Sequence, residues 1–168
     1  WRPEATLTEL VLARAQMAML FAFHIVFAVA GMGMPLLMVI AEAAHLRTGK
    51  PVFLELARRW ARGTAILFAV GAVSGTVLSF ELGLLWPRFM AFSGGIIGLP
   101  FALEGFAFFA EAIFLGIYLY GWGRVTPPLH LLSGIGVALG GLLSGILVVS
   151  ANGWMNSPAG FLMRNGMP

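Results

Sequence analysis

Four long apolar runs, separated by short segments rich in Pro, Gly and Arg, set the pattern of this chain. The first extends from Ala15 to about Ala44 and is interrupted by polar side chains only at Gln16, His24 and Glu42. The segment His45-Leu-Arg-Thr-Gly-Lys-Pro ends it, and Val52–Arg62 (VFLELARRWAR) reads as an amphipathic lead-in to a second run over about 63–80. Residues 81–97 are expected to form a loop, with Trp86, Phe89 and Phe92 suited to the headgroup boundary. A third run covers 99–121, where Pro100 suits a first-turn position, and Thr126-Pro-Pro breaks the chain after it. The fourth covers 129–151 and stops at Asn152-Gly-Trp-Met-Asn-Ser-Pro. Each run is long enough to cross a hydrocarbon core of about 30 Å as a helix. Gly and Ser in the second and fourth runs let helices approach closely in lipid. Residues 1–13 are mixed in character and are expected on the membrane surface.

Composition turns this pattern into a fold class. Of 168 residues 60% are hydrophobic and 10% charged, with a mean hydropathy of +0.92, against about 25% charged in soluble domains. The expectation is an all-α, integral membrane four-helix transmembrane bundle, a single domain over residues 1–168 with no internal repeat. The absence of cysteine excludes disulfides, iron–sulfur clusters and thiolate ligation. The first run does not read as a cleavable signal peptide, because Glu4 and Glu9 precede it and no small-residue cleavage site closes it. The net charge of +3 sits mostly in arginines between the runs, which reads as topology signalling and not as nucleic-acid binding. Arg47, Lys50, Arg58, Arg59, Arg62 and Arg124 fall on one side, and Arg2, Arg14, Arg88 and Arg164 on the other. The positive-inside rule then places both termini outside the cytoplasm.

Against so apolar a background the ionisable residues inside the runs stand out. An ionisable group at the centre of a spanning helix costs about 2.5–3.5 kcal/mol on insertion scales, so such groups mark ions, cofactors or protons to be handled. Glu104 and Glu111 lie seven residues apart, which puts both on one helix face about 10 Å apart along the axis. The alternative is that they cap or pair with neighbouring chains. His24 is the one imidazole well inside a run, with Phe21, Phe27, Ala28 and Gly31 on or near its face at helical spacing. Neutral imidazole is a common axial ligand of haem iron, and Arg14, ten residues or about 15 Å away, has the reach to pair with propionates. The alternative for His24 is a hydrogen bond to a neighbouring helix. The expected depth of His24 is between the levels of Glu104 and Glu111. The methionines of the first run read as filler. His45 and His130 sit in or beside loops and are expected to be solvated or interfacial; Glu42 is expected to snorkel or to meet Arg47, and Glu81 to close the second run at the surface.

The order of these residues resembles a known family. LARAQMAMLFAFHIVF, SGTVLSFELGLLW, GLPFALEGFAFFAEAIFLGIYLYGWGR and SANGWMNSP are similar, in sequence and spacing, to the N-terminal part of subunit I of cytochrome bd-type quinol oxidases. The resemblance covers nearly the whole chain. It implies a multi-helix complex in a bacterial plasma membrane that oxidises quinol and reduces dioxygen, with one low-spin b haem and two high-spin haems, one b-type and one d-type. It implies that His24 is the axial ligand of a high-spin haem iron and that Arg14 lies near haem propionates. Glu104 matches the acid beside the high-spin pair, and Glu111 the acid on the proton path towards it. The ligands of the low-spin haem and the quinol-binding loop belong to a later part of the family's sequence, so the chain matches the first four helices of a longer subunit. The implied partners are the rest of subunit I, subunit II, quinol, dioxygen and the lipid bilayer. Gly141 and Leu142 depart from the pattern, standing where better-known members carry polar side chains. A reading from another class is a haem-free membrane assembly or transport subunit on the same scaffold.

Overall fold

A computed structural model describes residues 7–163 of the chain. It contains four α-helices: α1 (Leu7–Thr48), α2 (Pro51–Leu85), α3 (Pro87–Tyr120) and α4 (Pro127–Asn156). Each is long and apolar enough to cross a membrane, and the protein is an all-α membrane protein. At 1.5 Å per residue the shortest, of 30 residues, is about 45 Å long, so every helix outreaches the hydrocarbon core. The expected spans over 15–44, 63–80 and 129–151 lie inside these helices, and that over 99–121 overruns α3 by one residue, Gly121. Of the segment expected at the surface, residues 7–13 already belong to α1, and residues 1–6 lie outside the described residues.

Two of the sequence expectations are corrected. Val52–Arg62 is no separate lead-in but the first part of a continuous α2, where Arg59 and Glu55 form an exposed ion pair one turn apart. Residues 81–97 are not a loop either: α2 runs to Leu85, Trp86 alone departs from helical geometry, and Pro87 opens α3. Proline at the first helical position loses no hydrogen bond, and glycine is tolerated in membrane helices, so Pro87, Gly94 and Gly95 do not break the chain as they would in water. Pro100 consequently lies in the interior of α3 and not in its first turn.

The other two connections are true turns. Gly49 (φ 68°) ends α1 with its amide donating to His45 O at 2.8 Å, and Gly123 (φ 70°) turns the chain between α3 and α4. Left-handed φ at a helix C-terminus favours glycine because no Cβ meets the preceding carbonyl. These turns lie at one end of the bundle, the Gly49 end; Trp86 lies at the other. The pairs α1·α2 and α3·α4 pack along most of their length, α1 joins α4, and α2 touches α3 more lightly.

The core sits at the Gly49 end, where Met38, Ala61, Leu115, Tyr118 and Val137 cluster, flanked by Trp60, Phe68, Leu119 and Trp122. Towards Trp86 the bundle is open on one side. No residue of α1 before Pro35 is fully buried.

A candidate cofactor and proton site

His24 projects from the open half of α1 against α2. Its Nδ1 lies 2.9 Å from Ser74 Oγ. The Ser74 hydroxyl has one hydrogen, and it is already directed at Val70 O (2.7 Å) and Gly71 O (3.1 Å). In the tautomer with its hydrogen on Nδ1, His24 donates to Ser74 Oγ and keeps the Nε2 lone pair available to a metal. Gly75 makes room for the ring: a Cβ there would stand 3.0 Å from His24 Cε1. Both observations fit an axial haem ligand, which needs one oriented imidazole and a slot for its ring. Arg14 is exposed on the same open half of α1; ten residues place it about 80° around the helix from His24.

Glu104 and Glu111 both face α4. Ser144 Oγ donates to Glu104 Oε1 at 2.9 Å. Glu111 is 7% exposed and is packed on glycine, since a Cβ at Gly140 would lie 2.9 Å from Glu111 Cβ and one at Gly141 would lie 3.1 Å from Glu111 Oε1. Among the described residues no side chain donates a hydrogen bond to Glu111. The position where the resemblance leads one to expect a polar group is thus directly against its carboxylate.

Glu104 lies within electrostatic range of both His24 and Glu111 and so joins the two halves of the site. The depth expected for His24 is corrected. Phe68 of α2 stacks on Phe108 of α3 at 4.9 Å, and Ser74 is six residues nearer the Trp86 end. Counting the same six residues back along antiparallel α3 brings His24 level with about residue 102. It lies slightly beyond Glu104 towards Trp86, not between the two acids.

Three other polar residues differ from their expectation. His130 is not solvated but 3% exposed, and Glu42 neither snorkels nor meets Arg47: its Oε1 lies 2.7 Å from His130 Nδ1 in the buried core. An acid on α1 and an imidazole at the start of α4 are drawn together because each, once in the bundle interior, has few other polar atoms to satisfy it. Glu81 is buried and accepts a hydrogen bond from Gln16 across the α1·α2 contact. His45 remains beside its turn, with Nδ1 2.9 Å from Lys50 O. Sequence reasoning treated Ser74 and Ser144 only as small packing residues; serine one turn from an intramembrane His or Glu on a facing helix is recognisable only once the helix register is known.

Comparison with known proteins identifies the family of the chain. Residues 12–167 match the family model described as cytochrome bd terminal oxidase subunit I. The chain is 35% identical over 161 residues to cytochrome bd ubiquinol oxidase subunit 1 of Bacillus subtilis, covering 95% of this chain and 34% of that protein. It is 35% identical over 150 residues to cytochrome bd-II ubiquinol oxidase subunit 1 of Escherichia coli, covering 89% and 29%. Its fold is similar to that of the bd oxidase of Geobacillus thermodenitrificans, with a TM-score of 0.89 and 44% identity over 94% of this chain and 37% of that one. The chain spans about a third of the length of these relatives. With four membrane helices of this order and a match along nearly its whole length, the chain belongs to the cytochrome bd terminal oxidase subunit I family.

Proposed function

We propose that this chain is the haem-bearing N-terminal part of a quinol:oxygen oxidoreductase in a bacterial plasma membrane. The observation that carries the reading is the His24 ring, oriented by the 2.9 Å contact of its Nδ1 with Ser74 Oγ beside a glycine that leaves space for it. His24 Nε2 is the ligand to a high-spin haem, b-type or d-type, and Arg14 offers a cation to its propionates. When bound, haem supplies one-electron chemistry and the iron at which dioxygen is reduced.

The carboxylates handle the protons. Each electron brought into a buried site is balanced by a proton, and a carboxyl group in low dielectric is a suitable holder. Glu104 keeps one oxygen on Ser144 and has the other to carry a proton close to His24. Glu111, deeper on the same face, passes protons towards Glu104. The quinol site, the low-spin haem ligands and subunit II belong to the rest of the complex. In this reading the Gly49 end, which holds Arg47, Lys50, Arg58, Arg59, Arg62 and Arg124, faces the cytoplasm, so both termini of the chain are outside. Of the opposing arginines, Arg14 and Arg88 are described; Arg2 and Arg164 lie outside the described residues.

The test is the haem content and absorption spectrum of the purified complete oxidase. His24→Ala removes one high-spin haem signal. Ser74→Ala keeps the ligand but frees its ring, weakening retention about 10–100-fold, as loss of an outer-shell partner does at metal sites. His45→Ala leaves the spectrum alone. An unchanged spectrum in His24→Ala overturns the ligand assignment.

A further inference from the structure

The most deeply buried ionisable pair in the described residues lies away from His24, at the Gly49 end. Glu42 and His130 are each 3% exposed, with Oε1 and Nδ1 2.7 Å apart. His130 Nε2 lies 2.9 Å from the backbone oxygen of Tyr118, which can only accept, so Nε2 carries a hydrogen. The bond between Glu42 and His130 then holds one proton, written either as an acid facing a neutral ring or as a carboxylate facing an imidazolium. Both forms are neutral overall, which is how a shared proton escapes the cost of burying a net charge. Glu42 Oε2 and Tyr118 Oη are both buried and have no partner other than each other, the Tyr118 hydroxyl lying beside the Glu42 carboxylate.

Tyr118 repeats the step that aligns the two acids of α3. Residues 104, 111 and 118 are seven apart, so all three lie on one face at intervals of about 10 Å. Helix α4 answers at each level, with Ser144 on Glu104, Gly141 on Glu111, Gly134 against the Tyr118 ring, and His130 below. Tyr118 thus stands on the same face of α3 as Glu111, two turns nearer the Gly49 end, with its hydroxyl beside the Glu42 carboxylate. On the other side a pocket of about 250 Å³ is lined by Arg58, Arg62 and Trp122 among others. The Trp122 ring centre is 3.9 Å from that of His130, and the Arg58 guanidinium lies over the same indole at 5.1 Å. One aromatic ring, that of Trp122, therefore separates this pocket from the pair. The charged or titratable groups that face it are Tyr118 from α3, and Arg58 and Arg62 from α2 across Trp122.

We propose that the Glu42–His130 pair is a proton-holding site that reloads Glu111 along the α3–α4 interface. This rests on the role of Glu111 proposed above. The proton leaves the Oε1–Nδ1 bond as the Tyr118 hydroxyl takes it up and releases its own; water carries that proton across the remaining distance, and the Glu111 carboxylate receives it. The pair, one proton short, is refilled from water in the Arg58–Arg62 pocket. No electron moves in these steps, and the pair acts on turnover only through Glu111.

The experiment uses the complete oxidase with Glu42→Gln, whose amide still donates to His130 Nδ1 but cannot release an acid proton. Haem content, spectrum and melting temperature stay at their wild-type values. Oxygen consumption and dye-reported proton uptake fall together, about 5–10-fold at neutral pH, and Glu42→Asp restores at least half of the rate. Infrared difference spectra between H₂O and D₂O carry an exchange-sensitive band that both Glu42→Gln and His130→Gln remove, a readout independent of turnover. Wild-type proton uptake in Glu42→Gln, or a loss of rate that tracks lost haem and lower melting temperature and is not restored by Asp, overturns the proposal and leaves a packing contact. A wild-type complex that binds no haem and consumes no oxygen overturns the proposed function itself, a result no variant of Glu42 can produce.

Discussion

Glu104 and Glu111 are chemically the same residue on the same face of one helix, yet their surroundings differ at the level of single atoms. Glu104 has a hydroxyl on one oxygen and His24 within electrostatic range. Glu111 has two glycines against it and no donor among the described side chains. Their Gln variants should therefore separate. Glu104→Gln is expected to alter haem spectra or occupancy as well as turnover, because an amide cannot balance charge near the iron. Glu111→Gln should keep the haem complement and slow oxygen reduction by about 10²-fold, the lower range for loss of a positioned proton-transfer group, with Asp partly restoring the rate. Haem content, melting temperature and oxygen consumption on the same preparations check both. Equal losses of stability with full specific turnover would reduce the two acids to packing groups.

At the scale of helices, the α3·α4 contact depends on α4 having no side chain where Glu111 crosses it. A Cβ at Gly140 would lie 2.9 Å from Glu111 Cβ and 3.1 Å from its Cα, too close to backbone for a rotamer change to relieve. Gly140→Val is expected to destabilise the pair by about 1–3 kcal/mol, the usual cost of overpacking, and to lower the melting temperature of the complex. Valine at exposed Gly153, with nothing within 4 Å, serves as the control. The helices themselves were legible in the sequence because hydropathy is a local signal, and the shared face of Glu104 and Glu111 was legible because a seven-residue step is local too. The Trp86 junction was not, since Pro and Gly signal turns in water but not at the start or interior of a helix in lipid. Nor was the Glu42–His130 pair. Its partners are 88 residues apart, and only the packing of α1 on α4 brings them together. An acid in an apolar run does announce that it needs a partner; it does not name which one.

Across the whole molecule, one end is filled and the other is open, and the part of α1 that carries Arg14 and His24 presents apolar neighbours such as Phe23 (49% exposed) and Val26 (66%). That surface fits a piece of a larger membrane assembly, about a third of whose subunit I length is present in this chain. The orientation proposed for it is open to direct test. Single cysteines at Thr48 and Pro127, in a chain that has none of its own, should be labelled only from the cytoplasmic side, and labelling of either in intact cells by a membrane-impermeant reagent reverses the topology. The junctions have a last consequence. Between successive helices the chain leaves helical structure only at Gly49 and Lys50, at Trp86, and over residues 121–126. Proteases cut preferentially at exposed, extended loop tips, and these junctions offer almost none. Limited proteolysis of the membrane-embedded protein is therefore expected to cut slowly between helices, and first over residues 121–126, the longest of these connections.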